Sequence, residues 1–169
     1  MSALLANPEF KILSLKKVFI SSVCFFLLLA CTKINVFEKN VAFKDHAWQR
    51  NIKPVISFNI DDTASLYNLY IVLRHSDAYD FNNIWIKCTV RSPEDSTSKS
   101  RDYNLPLATN DQGWSGTGMD DIYEHRVLIQ PRTKFNRAGE YKFVLEQIMR
   151  EDPLEHVLNV GMRVERVKK

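Results

Sequence analysis

Apolar residues in this chain recur at every second position in short runs, and that period belongs to strands rather than helices. Ile56, Phe58 and Ile60 alternate with Ser57, Asn59 and Asp61, as in a strand buried on one face only. Residues 66–75 repeat the pattern with Tyr67, Leu69, Ile71 and Leu73 on one side, but Tyr70 and Val72 on the other side are apolar too. This run is therefore expected at the centre of a sheet. Ile84, Ile86, Cys88 and Val90 oppose Trp85, Lys87, Thr89 and Arg91. Further strands are expected over residues 41–44, 103–107, 123–129, 140–147 and 157–165. Pro106, which lacks a backbone donor, pushes its segment to a sheet edge. Residues 92–102, rich in Ser, Thr, Lys and acidic side chains, read as a mobile hairpin loop, and residues 110–121 as a glycine-bearing corner. Helix is expected only in two short pieces, 133–138 and 147–151. Seven or eight strands with short turns and no fixed-period repeat predict an all-β chain, a single antiparallel β-sandwich or jelly-roll-like domain.

Ahead of this domain stands a different composition. Lys11, Lys16 and Lys17 form a positive segment, residues 18–30 an apolar one, and Ala30 is a small residue before Cys31; together they read as a secretory signal. A membrane-spanning helix needs about 20 consecutive apolar residues, and Lys16 and Lys17 cut this run short. Leu28-Leu29-Ala30-Cys31 resembles a bacterial lipobox, which implies cleavage before Cys31 and a diacylglyceryl group on its sulfur. The expected organisation is a removed lipoprotein signal peptide over 1–30, a lipidated N-terminus and short tether over 31–40, and the sandwich over 41–169. Residues 1–10 are long for the start of such a signal and point to a translation start further downstream.

Removal of residues 1–30 leaves 20 basic against 19 acidic residues. The near-neutral balance argues against nucleic-acid binding. Cys24 leaves with the signal and Cys31 carries lipid, so Cys88 is the one free thiol of the mature chain. Its place beside Ile84, Ile86 and Val90 makes it a buried, inert thiol.

No motif of the chain carries chemistry. Gly113-Trp114-Ser115-Gly116-Thr117-Gly118 lacks the last glycine of a nucleophile elbow, and Asp121 stands where a dinucleotide fingerprint needs its third glycine. The stretch reads as a tight corner. His46, His75, His125 and His156 show no metal-ligand spacing, so no metal and no cofactor are expected. Asp61, Asp62, Asp111, Asp120 and Asp121 fall in turns, where short carboxylates accept backbone N–H groups; turn chemistry is preferred there over a structural calcium ion. Trp48, Trp85 and Trp114 are open to two readings, core plugs or partner contacts on the one hand and a sugar-stacking platform on the other.

Several motifs, in order, resemble the gliding-motility lipoprotein GldH family of the Bacteroidota. They are Phe58-Asn59-Ile60-Asp61, Tyr67-Asn68, Leu73-Arg74-His75 with Tyr79, Asn83-Ile84-Trp85, the glycine corner with Asp121-Ile122, Gly139-Glu140-Tyr141-Lys142-Phe143, Glu146-Gln147 with Met149-Arg150, and Val160-Gly161 with Arg163. The resemblance implies a non-enzymatic lipoprotein of the gliding machinery, tied to type IX secretion, that works through protein partners and takes no small-molecule substrate. Thr32 after the cysteine, with no acidic tag over 32–36, points to the outer membrane facing the periplasm. The competing functions are a carbohydrate-binding lipoprotein of a polysaccharide-uptake system and a lipid-anchored hydrolase; the hydrolase lacks a nucleophile, base and orienter. Candidate partner contacts are Arg74, His75, Trp85, Trp114, Met149 and Arg150. Residues 147–154 carry more apolar surface than a plain hairpin needs. They either cap one end of the sandwich, with Arg150 paired to Glu151 or Asp152, or expose Met149 and Arg150 to a partner.

Overall fold

The computed structural model describes residues 36–93 and 98–167. The signal segment and Cys31 lie outside them. The strands are β1 (Val36–Ala42), β2 (Val55–Ile60), β3 (Leu66–Ser76), β4 (Asn83–Arg91), β5 (Ser98–Pro106), β6 (Ala108–Thr109), β7 (Gly113–Trp114), β8 (Thr117–Met119), β9 (Ile122–Lys134), β10 (Gly139–Gln147) and β11 (Val157–Arg166). Two antiparallel sheets form a β-sandwich, one in the order β1-β11-β3-β9-β8 and the other β2-β10-β4-β5, with β6 and β7 as a small separate ribbon. Among the described residues no helix is long and apolar enough to cross a membrane.

The alternation predicts the inner faces well. Ile56, Phe58 and Ile60 of β2, Tyr67, Leu69, Ile71 and Leu73 of β3, and Ile84, Ile86 and Cys88 of β4 are all buried in one core. β3 is central in its sheet, and Val72 on its outer face is fully buried as well. β5, with Pro106 at its end, is an edge strand. Cys88 is a free, buried thiol, and burial pushes its pKa up to about 12.

Four expectations are corrected. The first strand starts at Val36 rather than residue 41 and pairs with β11 along its whole length; Phe37 and Val41 pack on the core, but polar Glu38, Lys39 and Asn40 between them hide the pattern. The 92–102 loop is shorter than expected, because residues 98–102 already pair with β4. Their side chains are exposed, so an edge strand forms there through its backbone, without apolar surface. Neither short helix exists: residues 133–134 end β9, and 147 ends β10 ahead of bends. Lys44–His46 forms the one short 3₁₀ turn among the described residues. β9 also runs past residue 129 to Lys134, with irregular pairing to β3 around Leu69, where Pro131 and the positive-φ Arg132 interrupt the ladder.

Antiparallel pairing gives the sandwich two unlike ends. The chain enters at Val36 and leaves after Arg166 at the same end, since those residues neighbour each other's strands. The turn over 61–65, the β4–β5 hairpin and the link over 135–138 also lie there; this is the root end. The connections 43–54, 77–82, 107–121 and 148–156, which include the three longest between the sheets' strands, lie at the opposite, far end. At the root end Asp62 builds the turn expected of it, its carboxylate accepting from the backbone N–H groups of Ala64 and Ser65 and the Ser65 hydroxyl, with Arg166 alongside.

Candidate functional site

The far end is knitted from connections that are individually too polar to hold a shape. Trp48 exchanges backbone hydrogen bonds with Leu154 at 2.9 and 3.0 Å, joining the 43–54 and 148–156 segments. Its fully buried ring stacks on Phe43 at 4.9 Å, and its indole N–H donates to the Ile52 carbonyl. Gln147 is fully buried and shapes the turn that follows it: its side-chain oxygen accepts from the Met149 N–H at 2.9 Å, and its amide donates to the Glu151 carbonyl at 3.1 Å. The Arg50 guanidinium donates to the carbonyls of Met149 and Arg150, and the Arg50 N–H to the Asp152 carboxylate. Among the described residues, four of the five non-glycine positions with positive φ, Asp45, His46, Asp120 and His156, sit in these connections. Such outliers persist only where surrounding contacts over-determine them.

Beside this turn lies an imidazole and aromatic cluster. His75 from β3 and His125 from β9 are both buried and stack at 5.0 Å, with their Nε2 atoms 2.9 Å apart. Trp114 packs edge-on to His75 at 4.4 Å, and Tyr79 and Tyr123 close the cluster. His75 Nδ1 faces the Ser76 carbonyl at 2.7 Å. A carbonyl only accepts, so Nδ1 carries the proton; neutral His75 Nε2 then accepts from the Nε2–H of His125. A proton added to His75 would set two N–H groups against each other. Burial also disfavours the charged ring, lowering both histidines below their ordinary value and His125 to about 4. Gly116 is required at this point, since a Cβ there would lie 2.6 Å from the Glu124 carbonyl and 2.8 Å from His125 Nε2. The glycine corner is thus a close-packed lid on the histidine pair.

The six candidate contact residues all fall at the far end, but they separate into two sets. Trp85, 42% exposed, and Arg150 are on the surface. Arg74 is exposed with its guanidinium committed to Glu124, in a cross-strand run that continues through Arg126, Glu38 and Arg163. Burial opposes the charge of Glu38, yet hydrogen bonds from Arg126 and Arg163 outweigh it and hold the carboxyl below its usual range. His75 is not a surface contact: its place on the inward face of a central strand buries it completely. Trp114 is half-buried against His75, and Met149 is half-buried against the core, its sulfur accepting the Trp85 N–H at 3.2 Å. The 147–154 turn therefore caps the sandwich and still leaves Arg150 outside. No partner for the Arg150 guanidinium occurs among the described carboxylates. Trp48 is core, Trp114 is half-buried, and no ring contact joins Trp85 to Trp114 among the described residues. No group of three or more metal-ligating side chains occurs among them either. Sequence reasoning missed His125 as the partner of His75 and Gln147 as the organiser of the turn. A lone polar residue on an apolar alternation, at its end as with His75 and Gln147 or inside it as with His125, is the available signal.

A family model described as GldH lipoprotein matches residues 35–164, nearly all of the sandwich. The gliding motility lipoprotein GldH of Flavobacterium johnsoniae is 29% identical over 146 residues, covering 82% of this chain and 89% of that protein. A protein of Christiangramia forsetii described as a gliding motility lipoprotein GldH homolog is 25% identical over 159 residues, covering 88% and 94%. Among solved structures, the VP2 subviral particle of infectious bursal disease virus superposes with a TM-score of 0.35 and 13% identity, over 80% of this chain and 34% of that one; a likeness that slight carries no argument.

Proposed function

This chain belongs to the GldH lipoprotein family, and from that premise we propose that it is a lipid-anchored, non-enzymatic component of the gliding motility machinery that acts by binding a protein partner with its far end. Cys31 is the anchor. The protein sits on the outer membrane facing the periplasm and works with the type IX secretion apparatus. The names of the Flavobacterium and Christiangramia relatives support the role in gliding, and the lipobox supports the anchor. One observation carries the choice of surface: the longer connections, the positive-φ aspartates and histidines, and the exposed Trp85 and Arg150 gather at the end opposite Val36, where the tethered chain enters. Tryptophan and arginine are enriched among binding hot spots, and a rigid frame under them limits the ordering cost of association.

The test of the surface is Arg150→Glu. Gliding should be lost while the thermal midpoint is unchanged, and normal gliding in a normally folded variant would refute it. The anchor has its own test. Cys31→Ala should accumulate unprocessed precursor that takes up no fatty-acid label, and continued labelling would place the lipid elsewhere.

A further inference from the structure

On one side of the sandwich β1 and β2 approach each other. On the other side the two sheets part, and a cleft of ≈ 790 Å³ opens between β5 and the last part of β9. β8 covers only residues 122–124 of β9, so the later half of that strand has no neighbour on its outer edge among the described residues. The cleft lies at the root end, with Leu69, Cys88, Phe135, Tyr141 and Phe143 forming an apolar floor. Its rim is cationic: Lys99 and Arg101 from β5 face Lys134 and Arg137 from the β9 side, all four exposed. The described lining contains no carboxylate, and none of the four forms an ion pair with a described acidic residue.

A second protein strand fits this opening poorly. Pro131 removes a donor from the β9 edge, and the positive φ of Arg132 turns the ladder aside, both familiar ways of blunting an edge. A soluble anion would use the rim and leave the floor unexplained. The size is that of a small-molecule site, and the two surfaces together match an amphiphile with an anionic head and an acyl tail. Position agrees with that chemistry. The chain enters the fold at the same end, and the five residues from Cys31 to Val36 reach at most about 18 Å, which holds the root end within reach of the bilayer surface. We infer that this cleft binds an anionic membrane phospholipid, its phosphate on the Lys99, Arg101, Lys134 and Arg137 rim and one acyl chain between the sheets. The bound lipid orients the domain, root end down, beyond what the Cys31 anchor alone achieves. The inference rests on the anchor reading only for the source of the lipid.

The experiment uses the mature lipoprotein purified from cell membranes and placed in phosphatidylcholine nanodiscs doped with phosphatidylglycerol that carries a photoactivatable acyl chain. Intact mass first establishes whether Cys31 is acylated, so failure of the anchor is seen separately. After irradiation, crosslinks should map to the cleft, at Tyr103 and residues 133–137. Labelling there should fall roughly tenfold in Lys99→Glu/Arg101→Glu, the order expected when two cations facing an anionic head group are reversed, while gliding-end variants such as Arg150→Glu leave it unchanged. Photoactivatable phosphatidylcholine should label the same residues far more weakly. Crosslinks confined to residues 31–40, equal labelling by the two lipids, or labelling unchanged by the double reversal would each overturn the inference, as would efficient cleft labelling by photoactivatable palmitate but not by the phospholipid.

Discussion

The two ends of this sandwich solve the same packing problem with different chemistry. At the root end the core is built from Phe37, Phe58, Phe135, Tyr141 and Phe143, ring on ring. The two tyrosine hydroxyls there, of Tyr67 and Tyr141, are satisfied by backbone carbonyls four or five residues away. At the far end, imidazole, indole and amide groups occupy the equivalent depth: His75, His125, Trp114, Gln147 and Trp48. A buried polar group needs a partner: loop backbone supplies it for Trp48 and Gln147, and the two histidines supply it to each other. The hydrocarbon end thus fixes the sheets to each other, while the polar end fixes the loops to the sheets. That arrangement suits a domain whose fold is set near its tether and whose recognition loops are held rigid away from it.

The difference is open to attack at both ends. The largest effect belongs to Phe58→Ala, which removes a ring in contact with four other aromatic residues; it should cost about 3–5 kcal/mol in denaturant unfolding. A loss below about 1 kcal/mol would mean that the root cluster is not what holds the sheets together.

Acidification attacks the other end. Both histidines have folded pKa values below the ordinary 6.5, that of His125 about 4, so the unfolded chain takes up protons first as pH falls. Their stabilisation is complete above about pH 6.5 and is lost as pH drops toward 4, with His125 contributing about 3 kcal/mol of it. The aromatic groups that face the pair are Tyr79, Tyr123 and Trp114; burial pushes the Tyr79 hydroxyl up, and Trp114 has no titratable group. Glu38 and Asp62, both shifted downward from 4.5 and 3.8, contribute only below the upper part of this window. The decline between pH 6.5 and 5 therefore reports the histidines, and His75→Phe/His125→Leu should flatten it. An unchanged slope in that variant would assign the acid sensitivity elsewhere.

Gly116→Ala presses a methyl group against the Glu124 carbonyl and should cost about 1–3 kcal/mol. At Gly113, φ is +67° but nothing lies within 4 Å of an added Cβ, so Gly113→Ala should cost about 1 kcal/mol through backbone strain alone. Smallest of all, Trp85→Ala and Arg150→Glu should stay within about 0.5 kcal/mol of the parent. Cys88, buried and with a raised pKa, should not react with iodoacetamide in the folded domain; rapid modification would show that the cleft beside it breathes.

The strands were far more legible in the sequence than the contacts that shape the far-end connections, for a physical reason. Strands with one buried face announce themselves through alternation, so β2, β3, β4, β10 and β11 and the burial of Cys88 follow from residue order alone. β1 and the first half of β5 do not, because edge strands need only backbone pairing, and polar residues at 38–40 and 98–102 meet that need. At the far end the loops take their shape from single polar contacts between residues distant in sequence. Arg50 with Met149 and Arg150, His75 with His125, and Trp48 with Leu154 leave no periodic trace. The same limit explains why His75 reads as a surface contact from its position after Arg74, whereas the strand buries it. Trp85 and Arg150, for which residue order leaves both a packed and an exposed reading open, are both exposed.

The central claim is that one end faces the membrane and the other end faces a protein. Photoreactive amino acids placed singly in living cells, replacing Trp85 or Arg150 at the far end and Ala64 or Asn136 at the root end, compare the two directly. The account predicts one discrete protein adduct from the far-end sites and lipid or no adduct from the root-end sites. The same protein captured from Ala64 or Asn136, with none from Trp85 or Arg150, would contradict it.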